Sequence, residues 1–473
     1  MMPSVPTRVN RSTGFEKRVE RYLARRGWPI AVCTLFVVAG LLYFFRWSPV
    51  VRHRASLWVM PSDIWTTYGA ANAVAHGHFA SIYGGGFLAF PGFLAVLAPL
   101  GALAGRFHTA YVQVTSHGHP FTGSHVVTGN GTPTILFDGL VNDGNLYAVH
   151  QGVFALLAPF ILLVSCTAVF ACDAMAEFLE IVRWRRAILS GVEAILLWGL
   201  VVVAGHPEDA LAVALVTWAL LWAFRDRWAG AGWLFGIALA IQPLVLVIFP
   251  VLLVLGGRQR TIGLLVRGAV PAAAVIIGPL VADPHDTLHA VVDQPTFPNL
   301  AGNFKTLWTP LAPHLGSHGG TETVGGGPVR LVALALAAGI GWFTLRWRQR
   351  PEMIVWAAAV ALALRVYTES VMTAYYTWPA LALGVVIACR AVTWRFWVAV
   401  SAALVTTVVG QWKLESNLWW AVQVVGVTLV LAASAHPGAP EPVPTAPVRR
   451  PSSGKSRSRP SGGTTKSRQK SRR

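Results

Sequence analysis

The sequence predicts an all-α fold: a polytopic transmembrane helix bundle of about 11–13 membrane segments, counting half-helices and re-entrant pieces. Three observations predict it. The 473 residues are 54% hydrophobic and only 12% charged, about half the charged share of a soluble domain. The apolar residues fall in long blocks rather than amphipathic stripes. Of the net charge of +18, residues 1–27 carry +5 and residues 449–473 carry +10, so the apolar body is nearly neutral. This excludes a soluble globular enzyme and a disordered chain. Basic tails beside membrane spans report orientation and contact with anionic lipid, and no nucleic-acid partner is expected.

The organisation follows from the charge and the blocks. Residues 1–27 form a basic N-terminal segment. The first block, residues 28–45, ends in bulky aromatics and RWSPVVRHR rather than a small-residue cleavage site, so it is a retained span. Residues 28–436 form the membrane domain, with external loops at 46–86, 105–149 and 282–327. Residues 437–473 are rich in Pro, Ser, Gly and like charge, and predict a disordered basic tail. The basic connectors RWRR (183–186), RDRW (225–228), RQR (258–260) and RWRQR (346–350), with Arg390 and Arg395, belong on the cytoplasmic side. That assignment works if two blocks return to the side they came from. Block 229–256 is broken at Gln242 and Pro243, and predicts two half-helices. Block 87–104 contains Pro91 and Pro99, with Gly85 and Gly86 just before it, and predicts a re-entrant hairpin. Both termini are then cytoplasmic and the protein is multi-pass in the plasma membrane. Cys33, Cys166, Cys172 and Cys389 have neither zinc nor disulfide spacing and read as small core residues.

Acids near membrane depth are expensive, so they select the candidate site. Asp63 opens a short helical stretch after the first span. Either it or Ser62 caps that helix, or its carboxylate serves as a general base at the external surface. His76 and His78 do not share a helical face and suggest no metal site. Glu208 and Asp209 open a span in GHPEDALAVAL; one acid suits the helix dipole, and two acids beside His206 exceed that need. Such a pair can orient a hydroxyl or hold a divalent cation. In the 282–327 loop, Lys305 is the one lysine between Lys17 and Lys413, and is either a solvated side chain or a phosphate partner. Arg365 and Glu369 are spaced to pair along a helix. With Tyr375 and Tyr376 they also suit an anionic sugar-lipid head group. No phosphate-binding loop, HExxH, GxSxG or dinucleotide fingerprint is present.

The order of these features resembles the GT-C superfamily of polytopic glycosyltransferases. It runs from one span and an early external acid, Asp63, through YGGGFLAFPGFLAVLAPLGAL, GHPEDALAVAL and AGWLFGIALAIQPLVLVIFPVLL. A long external loop and RVYTESVMTAYYTWP follow. The resemblance is greatest to actinobacterial polyprenol-phosphate-mannose-dependent mannosyltransferases and covers residues 28–436 by the order of its patterns. It implies a polyprenyl-phosphate sugar donor, with mannose as the sugar, and an envelope glycolipid or glycan acceptor on the external face. It implies an inverting reaction in which Asp63 is the base and Asp209, with Glu208, organises the site. Lys305, Arg365 and Tyr376 would hold the donor. Two features depart from the family pattern. The segment 105–149 is a long polar insertion whose Asp138 and Asp143 can supply or replace the named acids. Gln242 stands where relatives often carry a basic residue.

Two rival readings share the same spans. A transporter for an amphipathic lipid needs a polar path through to the cytoplasmic face. A non-catalytic envelope protein tolerates loss of Asp63 and Asp209 together. A glycosyltransferase needs the acids and a cation gathered in one external cavity.

Overall fold

A computed structural model describes residues 14–55, 57–84, 90–104, 112–116, 125–129, 132–137, 146–288, 290–291, 306, 326–369, 372–412 and 416–435. Among these, nine helices are long and apolar enough to cross a membrane, and four shorter apolar helical segments accompany them. The body is the all-α polytopic bundle that the composition predicts. Its long helices are α1 (Gly14–Ala55), α5 (Gln151–Phe178), α6 (Arg183–Leu197), α7 (Pro207–Phe224) and α10 (Arg258–Ala282). The later ones are α12 (Gly326–Thr344), α13 (Pro351–Thr368), α15 (Thr393–Gly410) and α16 (Ser416–Ser434). Shorter pieces are α2 (Ser62–Ala75), α3 (Ser81–Gly84), α4 (Gly92–Ala104), α8 (Trp228–Ile241), α9 (Phe249–Gly256), α11 (Pro284–Leu288) and α14 (Trp378–Ala388).

Side-chain contacts sort the helix ends into two sets. At one end, Arg25 and Arg26 of α1 pair with Glu177 and Asp173 of α5, and Arg186 of α6 donates to Asp173 at 2.8 Å. Arg185 donates to the Cys389 and Ala391 carbonyls at 2.9 and 2.7 Å. Arg260 of α10 pairs with Asp226, just past α7, at 2.8 Å. Arg348, past α12, donates to the Leu255 carbonyl of α9 at 3.2 Å. Every basic connector therefore meets at this basic end. The segment 229–256 leaves that end as α8, breaks at Gln242, and returns through a 3-10 turn (Pro243–Ile248) and α9. Those are the two half-helices expected from Pro243, which can donate no backbone hydrogen bond.

Helix lengths then shape the opposite end. Phe178 and Phe224 stack at 5.4 Å, so α5 and α7 finish level at the basic end. At 1.5 Å per residue, the 28 residues of α5 reach about 15 Å beyond the 18 residues of α7. Arg260 lies over the Trp228 ring at 4.6 Å, so α8 and α10 start level. With 25 residues against 14, α10 overshoots α8 by about 16 Å. The first turn of α7 and the end of α8 thus stop short of the ends of α5 and α10, and this step among the described helices forms a recess at whose base Glu208 and Asp209 are buried.

The segment 87–104 differs from its expectation. Among its described residues, 90–104, a single helix, α4, is present, and the hairpin forms between α4 and α2 instead. Gly101 admits the Asn72 backbone, 3.1 Å from where a side chain would begin, and Gly92 abuts the Ala240 carbonyl at the end of α8. Phe79, between α2 and α4, packs on Gly278 near the end of α10. The hairpin therefore lines the recess side of the bundle. A five-stranded sheet adds to the helical body, in the order β1 (Leu57–Pro61), β5 (Leu146–His150), β2 (Val112–Ser116), β4 (Thr132–Phe137), β3 (His125–Gly129). Neighbours are antiparallel except β2 and β4. β5 runs directly into α5, which places the sheet at the recess end, and β1 runs directly into α2.

The centre of the bundle is packed through small residues. Ala357, Ala358, Ala359, Ala361 and Ala363 of α13 are all buried. Gly341 of α12 lies against Pro250 of α9, and Gly384 of α14 against Val430 of α16. Apolar lipid gives helices no hydrophobic reason to associate, so close backbone approach supplies the dispersion contacts instead. All four cysteines are buried and free, as their positions in the apolar blocks predict.

Candidate functional site

The floor of the recess is built first by the connector between α6 and α7. A π-helix (Trp198–Val203) widens the end of α6, and Gly205 adopts a positive φ of 79° that side chains disfavour. The chain folds back so that the His206 amide donates to the Leu200 carbonyl at 3.0 Å. Pro207 then starts α7, where its missing N–H loses nothing. Glu208 and Asp209 fall in the first turn, where the helix dipole favours negative charge. They are 6% and 0% exposed. The His206 ring nitrogen Nδ1 lies 2.7 Å from Glu208 Oε1.

Asp209 is committed to two partners. Its Oδ1 accepts from Gln242 Nε2, and its Oδ2 accepts from Arg365 at 3.3 Å. Gln242 reaches it because the chain leaves helical geometry there, at φ −146° and ψ 106°. Arg365 lies over the Tyr376 ring at 3.4 Å. Tyr376 meets Tyr375 edge to face at 4.8 Å, and Tyr375 stacks on His206 at 3.9 Å. A continuous ladder results: His206, Tyr375, Tyr376, Arg365, Asp209, Gln242. It joins α7, the break after α8, the last turn of α13 and the 3-10 turn (Ala374–Thr377) before α14.

The expected pairing of Arg365 with Glu369 is replaced by the bond to Asp209. Helix α13 ends at Thr368, and Glu369 is already extended, so the spacing does not carry over as helical geometry. Glu369 still acts electrostatically on Arg365, and on Arg330. Arg330, near the start of α12, also interacts with Tyr376 and was not singled out from sequence. Its signal was a lone arginine opening an apolar block at a weakly charged connector. Gln242 was noted only as a departure, yet it is a direct partner of Asp209.

Asp63 is the second residue of α2, immediately past the sheet, at the recess end; its side chain lies outside the described residues, as do Lys305, Asp138 and Asp143. His76 and His78 are exposed, and His76 Nδ1 lies 2.8 Å from the Asn72 carbonyl. Among the described residues no group of three His, Cys, Asp or Glu is placed to hold a metal ion. The acid pair does not fit a divalent cation either, since both Asp209 oxygens and one Glu208 oxygen are engaged within the protein. Three buried or half-buried acids escaped the sequence reading: Asp173 and Glu177 in the basic-end cluster, and Glu193, fully buried beside Cys172.

Chemically, the floor offers an oriented guanidinium, two stacked phenols and an imidazole tied to a carboxylate. The aromatic faces suit a sugar ring or a prenyl chain, and the guanidinium suits an anionic oxygen. Its position, about 27 Å from the basic end along α7, is near the edge of a hydrocarbon layer of about 30 Å. The chain matches no protein-family model, and no curated protein matches it.

Proposed function

We propose that the chain is a membrane glycosyltransferase of the GT-C kind. It moves a sugar, mannose by the resemblance, from a polyprenyl-phosphate donor to a hydroxyl of an envelope glycolipid or glycan. The observation that carries this reading is the ladder from His206 to Gln242 at the floor of a recess near the membrane edge. A polyprenyl phosphate keeps its chain in lipid and its head group at that depth. Arg365 and Arg330 meet the phosphate as charge develops on it in the transition state, and a dry site makes that attraction stronger. The phosphate is already a good leaving group, so the sugar inverts in one displacement with a base on the acceptor side. The basic end belongs in the cytoplasm by the positive-inside rule, which turns the recess outward.

A transporter is supported less well. Below Asp209, α7 continues with buried Ala212, Val213 and Val216, and below Arg365, α13 continues with buried Leu362, Ala361 and Ala358. Among the described residues of these two helices the polar ladder ends at the floor; the buried Thr217 further along α7 donates to its own helix, to the Val213 carbonyl at 2.7 Å.

The test is transfer by purified protein from radiolabelled polyprenyl-phosphate mannose to an envelope lipid extract. The reading expects labelled lipid with the wild type and its loss in Arg365→Gln. Absence of transfer from polyprenyl-phosphate sugars by a folded wild type removes the reading.

A further inference from the structure

The turn after α2 holds two histidines that the recess chemistry does not use. Spacing alone puts His76 and His78 on different faces, but only if the helix runs through both. It stops at Ala75. Gly77 takes a φ of 74°, its amide donates to the Val74 carbonyl at 3.1 Å, and the His78 amide reaches back to the Ala73 carbonyl at 2.9 Å. That pair of bonds is a Schellman closure, with glycine in the left-handed position that side chains disfavour. It brings His78 round to His76. Their ring centroids lie 6.2 Å apart, with the planes inclined at 33°.

The turn is anchored on both sides of the pair. The Ser81 amide and hydroxyl both donate to the His78 carbonyl, at 3.2 and 2.9 Å. Phe79 packs on Gly278, which stands about 30 Å along α10 from the basic end. That is the outer edge of a hydrocarbon layer of about 30 Å, and both histidines there are exposed.

The ring chemistry is selective. His76 Nδ1 lies 2.8 Å from the Asn72 carbonyl, which can only accept, so Nδ1 carries the proton and Nε2 the lone pair. Metal-ligating histidines are oriented in the same way, with the other nitrogen donating to a carbonyl. The His78 ring makes no hydrogen bond among the described residues. The pair also follows the last turn of α2, where the helix dipole favours a cation.

We infer that His76 and His78 form a two-histidine site for a divalent transition-metal cation of the zinc class, at the outer edge of the membrane. Imidazole nitrogen suits Zn²⁺, Ni²⁺ and Cu²⁺, whereas Mg²⁺ and Ca²⁺ take oxygen ligands. An ion about 2.0–2.1 Å from one nitrogen of each ring is within reach of rings at this spacing, after small rotations of exposed side chains. Water or an outside ligand completes the coordination. The ion ties the last turn of α2 to the connector that packs on α10. The site stands apart from the ladder and does not depend on the glycosyltransferase reading.

The test titrates Zn²⁺ into untagged full-length protein in micelles after treatment with a chelator, followed by calorimetry. The wild type is expected to bind Zn²⁺ saturably and to ignore Mg²⁺. His76→Gln and His78→Gln are each expected to weaken binding by more than about tenfold, because each removes one arm of a chelate. The double variant is expected to lose little more than either single one, since one ion needs both rings. Zn²⁺ is also expected to protect both rings together from diethylpyrocarbonate, read by mass spectrometry. Tryptophan fluorescence checks that each variant folds. Zn²⁺ binding that both single variants retain unchanged, or no saturable binding by the folded wild type, overturns the inference.

Discussion

Replacing Arg365 by Gln, Asp209 by Asn, and both together isolates the ion pair at the floor of the recess. The pair is 3.3 Å apart, with side chains 14% and 0% exposed. Coulomb's law at that distance and an effective dielectric of about 20 gives about 5 kcal/mol. Gln242 still binds Asp209 when Arg365 is lost, and Tyr376 still stacks on Arg365 when Asp209 is neutralised. Those surviving contacts reduce the coupling expected from a double-mutant cycle to about 2–4 kcal/mol. The single variants should also differ in order. Arg365→Gln strands a fully buried carboxylate, whereas Asp209→Asn leaves a cation that keeps an aromatic partner and some solvent. Arg365→Gln is therefore the more destabilising. The assay is equilibrium unfolding in mixed micelles, followed by tryptophan fluorescence. A coupling below about 0.5 kcal/mol, the size of an exposed pair, would refute the reasoning.

Further expectations follow from other contacts. Gln242→Leu removes a donor from buried Asp209, and unfolding in the same micelles should show a loss of about 1–3 kcal/mol. At the basic end, Arg26 and Arg186 share Asp173, which is 2% exposed. The Arg26→Gln and Arg186→Gln variants should each destabilise, and together should depart from additivity by more than about 0.5 kcal/mol. Gly341→Ala places a methyl 2.6 Å from Pro250 Cβ and 2.9 Å from its carbonyl carbon. Thermal unfolding should show α12 forced off α9 at a cost of about 1–3 kcal/mol. His285 is fully exposed, and its hydrogen bond and charge interaction with Asp286 at 3.1 Å raise its pKa above the ordinary value. The pairing therefore favours the folded state at low pH and fades as pH rises through the folded-state midpoint. An NMR titration should show a raised midpoint that returns towards the ordinary value in Asp286→Asn.

Much of the architecture was legible because its causes are local. The return at Gln242 and Pro243 could be read directly because a polar residue and a proline together interrupt a 28-residue apolar block, whereas Pro99, Pro159, Pro271 and Pro279 stand inside unbroken helices. Basic connectors gather at one end because charge avoids lipid. The acids at 208–209 and Arg365 stood out because their burial is expensive. What joins them was not legible. Arg365 and Asp209 are 156 positions apart, and the helical spacing to Glu369 offered a nearer partner that the end of α13 takes away. Arg330 was hidden at the edge of an apolar block. Asp173 and Glu177 were missed because basic connectors were read only for orientation, whereas their arginines also bind helix ends together. The sheet escaped because its strands are short, polar-interrupted and completed by β1, which pairs with β5 from about 85 positions upstream. The roles of the site residues rest on chemistry that neither spacing nor hydropathy encodes.

The central claim is that this recess receives the head group of a polyprenyl-phosphate sugar. The most direct measurement is an experimental structure of the full-length protein in lipid nanodiscs with polyprenyl-phosphate mannose added. The account predicts the phosphate beside Arg365 and Arg330 and the sugar against the His206–Tyr375–Tyr376 ladder, with the prenyl chain leaving into lipid. Head-group density bound elsewhere on the protein, with the ladder empty, would contradict it.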